Sequence, residues 1–135
     1  MNSNGDEINF TKPNAVSTKM EEVKQKYENE WQELTVFERA VRLHMAITNI
    51  HPFIDGNGRI ARLIMNYELI KNNYPPVLIN ESQKLSYYSM IEEININTNY
   101  EEKPLKIGNI DLFIQTIQQL SIVTFKNMQK YFKEK

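Results

Sequence analysis

The sequence predicts an all-α fold, an orthogonal bundle of about five helices. Three observations carry this. Apolar residues recur at three- and four-residue steps through most of the chain, the spacing of one helix face. Two Thr-x-x-Glu boxes stand where helices should open, and Pro52 and Asn72-Asn73 stand where helices should stop. Only two short stretches, residues 10–16 and 74–79, read as extended.

The elements follow in order. Residues 1–9 are polar and read as a loose lead-in. Residues 10–16 contain Pro13 and read as an extended or turning segment. Thr18 and Glu21 form the first box, and Met20, Val23, Tyr27, Trp31 and Leu34 give that helix its apolar face. Thr35 and Glu38 open a second helix with Ala40, Leu43, Ile47 and Ile50 inward. Pro52 ends it, because the residue before a proline is pushed out of the right-handed helical region. After a loop over 53–57, a third helix from near Gly58 to Lys71 is expected to bury Ile60, Leu63, Ile64, Tyr67 and Ile70. Residues 82–97 and 109–132 read as the fourth and fifth helices. A polar turn with Pro104 and Gly108 separates them. Phe113, Ile114, Ile117, Leu120, Val123, Phe125 and Met128 are available for packing on the last helix.

A chain of 135 residues suits one core, so residues 10–135 are expected to form a single domain. The formal net charge of -1 gives no reason to expect nucleic acid or an anionic membrane as partner. With no Cys there is neither a disulfide framework nor a thiolate metal site. No apolar run approaches the roughly 18 residues of a membrane span, and the N-terminus lacks the apolar centre of a signal peptide. A cytoplasmic location is the default expectation, unless the chain is delivered into another cell.

Against this plain background one segment stands out: His51-Pro52-Phe53-Ile54-Asp55-Gly56-Asn57-Gly58-Arg59-Ile60-Ala61-Arg62. It holds two of the four Gly, one of the two His and half of the arginines. A helix–loop–helix places His51 at the end of one helix and Gly58 at the start of the next, whose free N–H groups favour an anion. Gly56 and Gly58 permit left-handed backbone angles, so that neighbouring amides can converge on a phosphate, and the Asn57 amide can donate to one. Asp55 offers the single carboxylate that Mg²⁺ needs when phosphates and water supply its other ligands. Arg59 and Arg62 share a helix face close to its N-terminus, where cations oppose the dipole unless an anion neutralises them. His51 carries the side chain suited to accept a proton near neutral pH. Each residue also has a structural reading. Gly-Asn-Gly is ordinary turn chemistry, Asp55 could cap the helix, the arginines could pair with surface acids, and Phe53 would anchor the loop in the core. His44, two turns before His51, is read as packing or hydrogen bonding.

The segment resembles the signature of the Fic family, His-x-Phe-x-Asp/Glu-Gly-Asn-Gly-Arg-x-x-Arg, at all eight specified positions. The likeness extends from about Phe10 to Asn97. The resemblance implies a Fic-type helical bundle with a short extended flap near the N-terminus. It implies a protein adenylyltransferase that moves AMP from Mg-ATP to a Ser, Thr or Tyr hydroxyl of a target protein. His51 would be the base and Asp55 the Mg²⁺ ligand. Gly56, Asn57 and Gly58 would cradle the α- and β-phosphates, and Arg59 and Arg62 the outer ones. Tyr87, Tyr88 and Asn95 resemble the part that lines the adenine pocket. Residues 10–20 resemble the flap that holds the target by strand-like pairing, with Phe10, Val16 and Met20 as anchors.

Two departures qualify the resemblance. Many relatives carry an inhibitory Ser/Thr-x-x-x-Glu-Gly/Asn helix. Here Ser3…Glu7, Ser17…Glu21 and Ser89…Glu93 all lack the Gly or Asn, so no self-contained inhibitory helix of that type is expected. The chain also begins almost at the flap, without the earlier helices usual in the family, which leaves room for an inhibitory or completing partner. The alternatives are other Fic chemistry (UMP transfer, AMP removal, or Doc-like phosphate transfer, which Gly58 opposes because Doc has Lys there) and an inactive fragment that only binds.

Overall fold

A computed structural model of the chain describes residues 11–98 and 107–134. Among these residues the fold is all-α, with five helices: α1 (Val16–Asn29), α2 (Val36–Ile50), α3 (Asn57–Lys71), α4 (Lys84–Ile96) and α5 (Asp111–Glu134). The loose lead-in, the Phe10 end of the flap and the turn at Pro104 lie outside the described residues.

Residues 13–16, read as an extended or turning segment, take the turning form, and the part compared with an extended flap is helical from Val16 to Met20. Pro13 starts a single 3-10 turn, Pro13–Ala15, that runs straight into α1. Proline presets a helical φ and gives up an N–H that the first turn leaves unpaired anyway. The helix therefore begins before Thr18, which does not cap it. The apolar face of α1 is shorter than expected as well. Trp31 is buried in a separate 3-10 turn, Trp31–Glu33, and packs with Val23, Ala46 and Ile50.

Thr35 does cap α2, its hydroxyl accepting the Glu38 N–H at 3.2 Å. This helix packs against each of the other four and is buried nearly all round, from Arg39 to Ile50 apart from Arg42 and Leu43. An all-round buried helix is the centre of a bundle. Its most extensive partner is α3. Here the expected face is rotated: Asn57, Ala61, Met65, Glu68 and Leu69 are buried, whereas Leu63, Tyr67 and Ile70 are exposed. Close packing against a crowded central helix favours a small residue at Ala61 and a specific polar partner at Glu68 over the bulkier apolar row.

That polar partner is Arg39. Its Nε donates to Glu68 Oε1 at 2.5 Å, Tyr27 Oη donates to Glu68 Oε2 at 2.8 Å, and Arg39 reaches the Leu34 carbonyl at 3.3 Å. A buried charge is tolerable only with its partners in place. The cluster ties the start of α2 to the end of α3, opposite the loop that joins them.

Asn73, at φ 70°, ends α3. The extended link after it lies along α3, where the Asn66 amide exchanges two hydrogen bonds with the Val77 backbone, 2.8 and 3.0 Å. Asn80 and Gln83 form a capping box one turn ahead of α4. Gly108 passes so close to the end of α4 that a Cβ there would sit 2.7 Å from the Ile94 carbonyl oxygen. The first half of α5 buries Phe113, Ile117 and Ser121, while Val123, Phe125 and Met128 face outward.

Candidate active site

The site is built where α2 stops. Pro52 cannot continue the helix, and His51 takes the left-handed conformation, φ 56° and ψ 54°, while its N–H still reaches the Ile47 carbonyl at 3.0 Å. A side chain there costs on the order of 1–2 kcal/mol, which is why glycine usually holds such caps. The strain falls on the one residue of the loop suited to move a proton, and the His51 residue is exposed.

The loop is closed from within. Asn57 is buried; its Oδ1 accepts the Phe53 N–H at 3.0 Å and its Nδ2 donates to the Phe53 carbonyl at 2.8 Å. Asn57 thus anchors the loop, and Phe53, expected to do so from the core, is 50% exposed. Gly56 adopts φ 81° as the cap of α3, its carbonyl accepting the first helical bond from Ile60 at 3.0 Å. Gly58, in contrast to expectation, has ordinary helical angles. Asp55 is exposed, and its Oδ1 takes the Gly56 N–H at 2.8 Å.

The two glycines have a second use, for what they leave out. A Cβ at Gly56 would lie 3.3 Å from an Arg59 guanidinium nitrogen, and one at Gly58 would lie 3.5 Å from an Arg62 nitrogen. Both guanidinium groups therefore lie along bare backbone at the start of α3. Among the described residues neither is in an ion pair, whereas Arg39 and Arg42 both are. Two cations gathered at the positive end of a helix favour an anion of more than one charge.

Behind Arg62 lies an aromatic cluster. Its Cζ is 5.8 Å from the centre of the Tyr87 ring. Tyr87 is buried, and its hydroxyl pairs with His44 Nε2 at 2.5 Å. The bonding half of the two readings offered for His44 is thus realised, and so is the packing half, since Phe113 meets the imidazole edge-on at 5.1 Å. Burial, reinforced by the Arg62 charge, pulls the His44 pKa down to about 3, so the ring is neutral at physiological pH. Burial likewise raises the Tyr87 pKa, with Arg62 pulling the other way.

The residues compared with an adenine pocket divide. Tyr88 exposes its ring beside Tyr87, centroids 5.3 Å apart. Asn95 is buried, its Oδ1 accepting from Asn49 at 3.3 Å. The sequence reading missed this polar core and the His44–Tyr87 link. Their signal was present only as polar residues on inward helix positions, which spacing alone cannot pair.

A family model for the Fic/DOC family matches residues 2–69, half of the chain. The chain belongs to the Fic/DOC family. Over 56 residues this Fic domain is 46% identical to the protein adenylyltransferase Fic of Drosophila grimshawi and 45% identical to that of Drosophila virilis. Each match takes in 42% of this chain and 12% of the relative, so the chain spans only a small part of those proteins. The fold is similar to that of Fic-1 from C. elegans, with TM-score 0.78 and 22% identity over 96% of this chain and 36% of that one. It is similar also to a Fic domain containing signaling protein from Bacteroides thetaiotaomicron, with TM-score 0.78 and 26% identity over 93% of this chain and 49% of that one.

Proposed function

We propose that this domain is a protein adenylyltransferase that transfers AMP from Mg-ATP to a hydroxyl side chain of a target protein. The observation that carries the reading is the pairing of an exposed, left-handed His51 with two guanidinium groups that lie on Gly56 and Gly58 at the start of α3 and that form no ion pair among the described residues. The names of the Drosophila relatives support it for the matched segment.

The chain's own residues divide the work as follows. Arg59, Arg62 and the first amides of α3 hold the polyphosphate and fix the α-phosphorus in place. His51 takes the proton of the target hydroxyl. The freed oxygen then bonds to the α-phosphorus as the bond to the bridging oxygen breaks, and pyrophosphate leaves. Transfers of this kind depend on positioning and charge stabilisation more than on covalent catalysis.

Mg²⁺ belongs to this chemistry as the companion of ATP. The residues fit that role: Asp55 keeps one carboxylate oxygen beyond its bond to Gly56, and among the described residues no group of three carboxylate or imidazole ligands could cage an ion by itself. Magnesium bound there would neutralise charge on the phosphates.

Labelled ATP decides between the chemistries. Label in the α-phosphate is expected on protein in a His51-dependent way, and label in the γ-phosphate is not. Transfer of the γ-label instead would make the domain Doc-like. Absence of either label with varied lysates, together with Mg-ATP binding that Arg62→Ala leaves intact, would sink the reading.

A further inference from the structure

Arg62 stands on a support that the phosphate chemistry by itself does not require. Its guanidinium lies over the Tyr87 ring, 5.8 Å from the centroid, and Tyr87 comes from a different helix, α4. The ring is held on three sides: His44 from α2 at 5.7 Å, Phe113 from α5 at 6.0 Å, and Tyr88 at 5.3 Å. Its hydroxyl is fixed as well, by His44 Nε2. His44 is fully buried and lies in the middle of the central helix, so it cannot follow the ring if the ring moves.

The imidazole makes an unusual sacrifice for this bond. His44 Nδ1 is buried and has no hydrogen-bond partner among the described residues. A bare ring nitrogen is cheaper to bury unpaired than an N–H, which favours the tautomer whose Nε2–H donates to Tyr87 Oη. A phenylalanine or leucine in that position would fill space without an orphaned nitrogen. A histidine there is explained by what its other nitrogen holds. Its neutrality matters too, because a charged imidazole would repel Arg62 and undo the arrangement.

We infer that His44 and Tyr87 are positioning residues for Arg62: their hydrogen bond locks a phenol ring on which the guanidinium rests, so that it meets a phosphate already aligned. This rests on the proposed role of Arg62 in holding a nucleotide phosphate. A long arginine side chain loses much rotamer freedom on gripping an anion, and a fixed aromatic platform spends that entropy before the ligand arrives. The aromatic face also suits a guanidinium better than an ammonium.

The test uses Tyr87→Phe, which keeps the ring and removes the hydroxyl, and His44→Gln against His44→Leu, where only Gln can restore a bond to the hydroxyl. The first readout needs no nucleotide. The Nε–H signal of Arg62 in nitrogen-15 relaxation should report an ordered side chain in the native sequence and a mobile one in Tyr87→Phe and His44→Leu, with His44→Gln in between. The second is calorimetric titration with Mg-ATP and, separately, adenosine. Mg-ATP should bind about tenfold more weakly in His44→Leu than in the native domain, while adenosine, which has no phosphate, should bind equally to both. Equal Arg62 mobility in native and Tyr87→Phe proteins overturns the inference. Equal weakening for ATP and adenosine overturns it too, since general loosening would do that. If Arg62 order depends on Tyr87 but the native domain does not bind Mg-ATP, the support stands and the nucleotide reading falls.

Discussion

His51 pays for its place with backbone strain, and that gives a test separating stability from activity. Alanine in the same left-handed position carries similar strain, and glycine carries none. His51→Gly is therefore expected to be more stable than His51→Ala by about 1 kcal/mol in urea unfolding, less whatever glycine adds to the freedom of the unfolded chain. Both should lose target labelling by on the order of 10²–10⁴. A collapse of stability in His51→Gly would show that the histidine holds the loop together. Gly56 gives the reverse case. At φ 81° any side chain is strained, and a methyl group would press on Arg59. Gly56→Ala should cost roughly 1–2 kcal/mol and weaken Mg-ATP binding at the same time. His44 gives a pH test. Its folded pKa of about 3 lies below the ordinary 6.5, so the unfolded chain takes up a proton that the folded one refuses. Stability from this group is complete above about pH 6.5 and is lost as the pH falls toward 3, with a slope near 1.4 kcal/mol per pH unit. His44→Leu should flatten that part of the denaturation profile, and an unchanged slope would remove His44 as its cause.

The α2–α3 pair is held at both ends, by Asn57 at the loop and by Arg39–Glu68 at the far end. Removing one member of a buried ion pair leaves an uncompensated charge, so Glu68→Leu should cost about 3–5 kcal/mol. Arg39→Met with Glu68→Leu should recover much of that loss, and measured unfolding free energies over the cycle would show it. If the double variant is as unstable as the sum of the singles, the two charges act independently. The sequence did not reveal this pair. Nothing in a helical pattern tells which turn of one helix meets which turn of another, so the spacing could not pair Arg39 with Glu68. The same gap explains the rotated face of α3. Leu63, Tyr67 and Ile70 make the more apolar row, but contact with a crowded α2 rewards Ala61 and Met65.

For the molecule as a whole, ligand linkage gives the broadest check. A ligand that binds only the folded state at 100 times its Kd adds about 2.7 kcal/mol of stability. Mg-ATP at that excess should raise the melting temperature, and Arg62→Ala should abolish the rise without lowering the melting point of the free protein greatly. A stabilisation by Mg-ATP that survives Arg62→Ala would place the nucleotide elsewhere on the domain. The described helices are arranged so that α2 touches every other helix, and the motif loop leaves from the end of that most buried element. A loop that leaves from a buried element and is closed by the buried Asn57 has its ends fixed, which the proposed phosphate-positioning role requires.

The sequence by itself determined the helical class, the stops at Pro52 and Asn73, the cap at Thr35 and the motif from His51 to Arg62. All of these are local: spacing, turn chemistry and residue type act within a few positions of one another. Tertiary structure decided the rest. It turned α3 to present Ala61 and Glu68 inward, and exposed Phe53 while Asn57 closed the loop. It also brought His44 to Tyr87 across 43 residues of sequence. Such pairings depend on how helices cross, and crossing is set by the packing of whole surfaces, which no local pattern encodes.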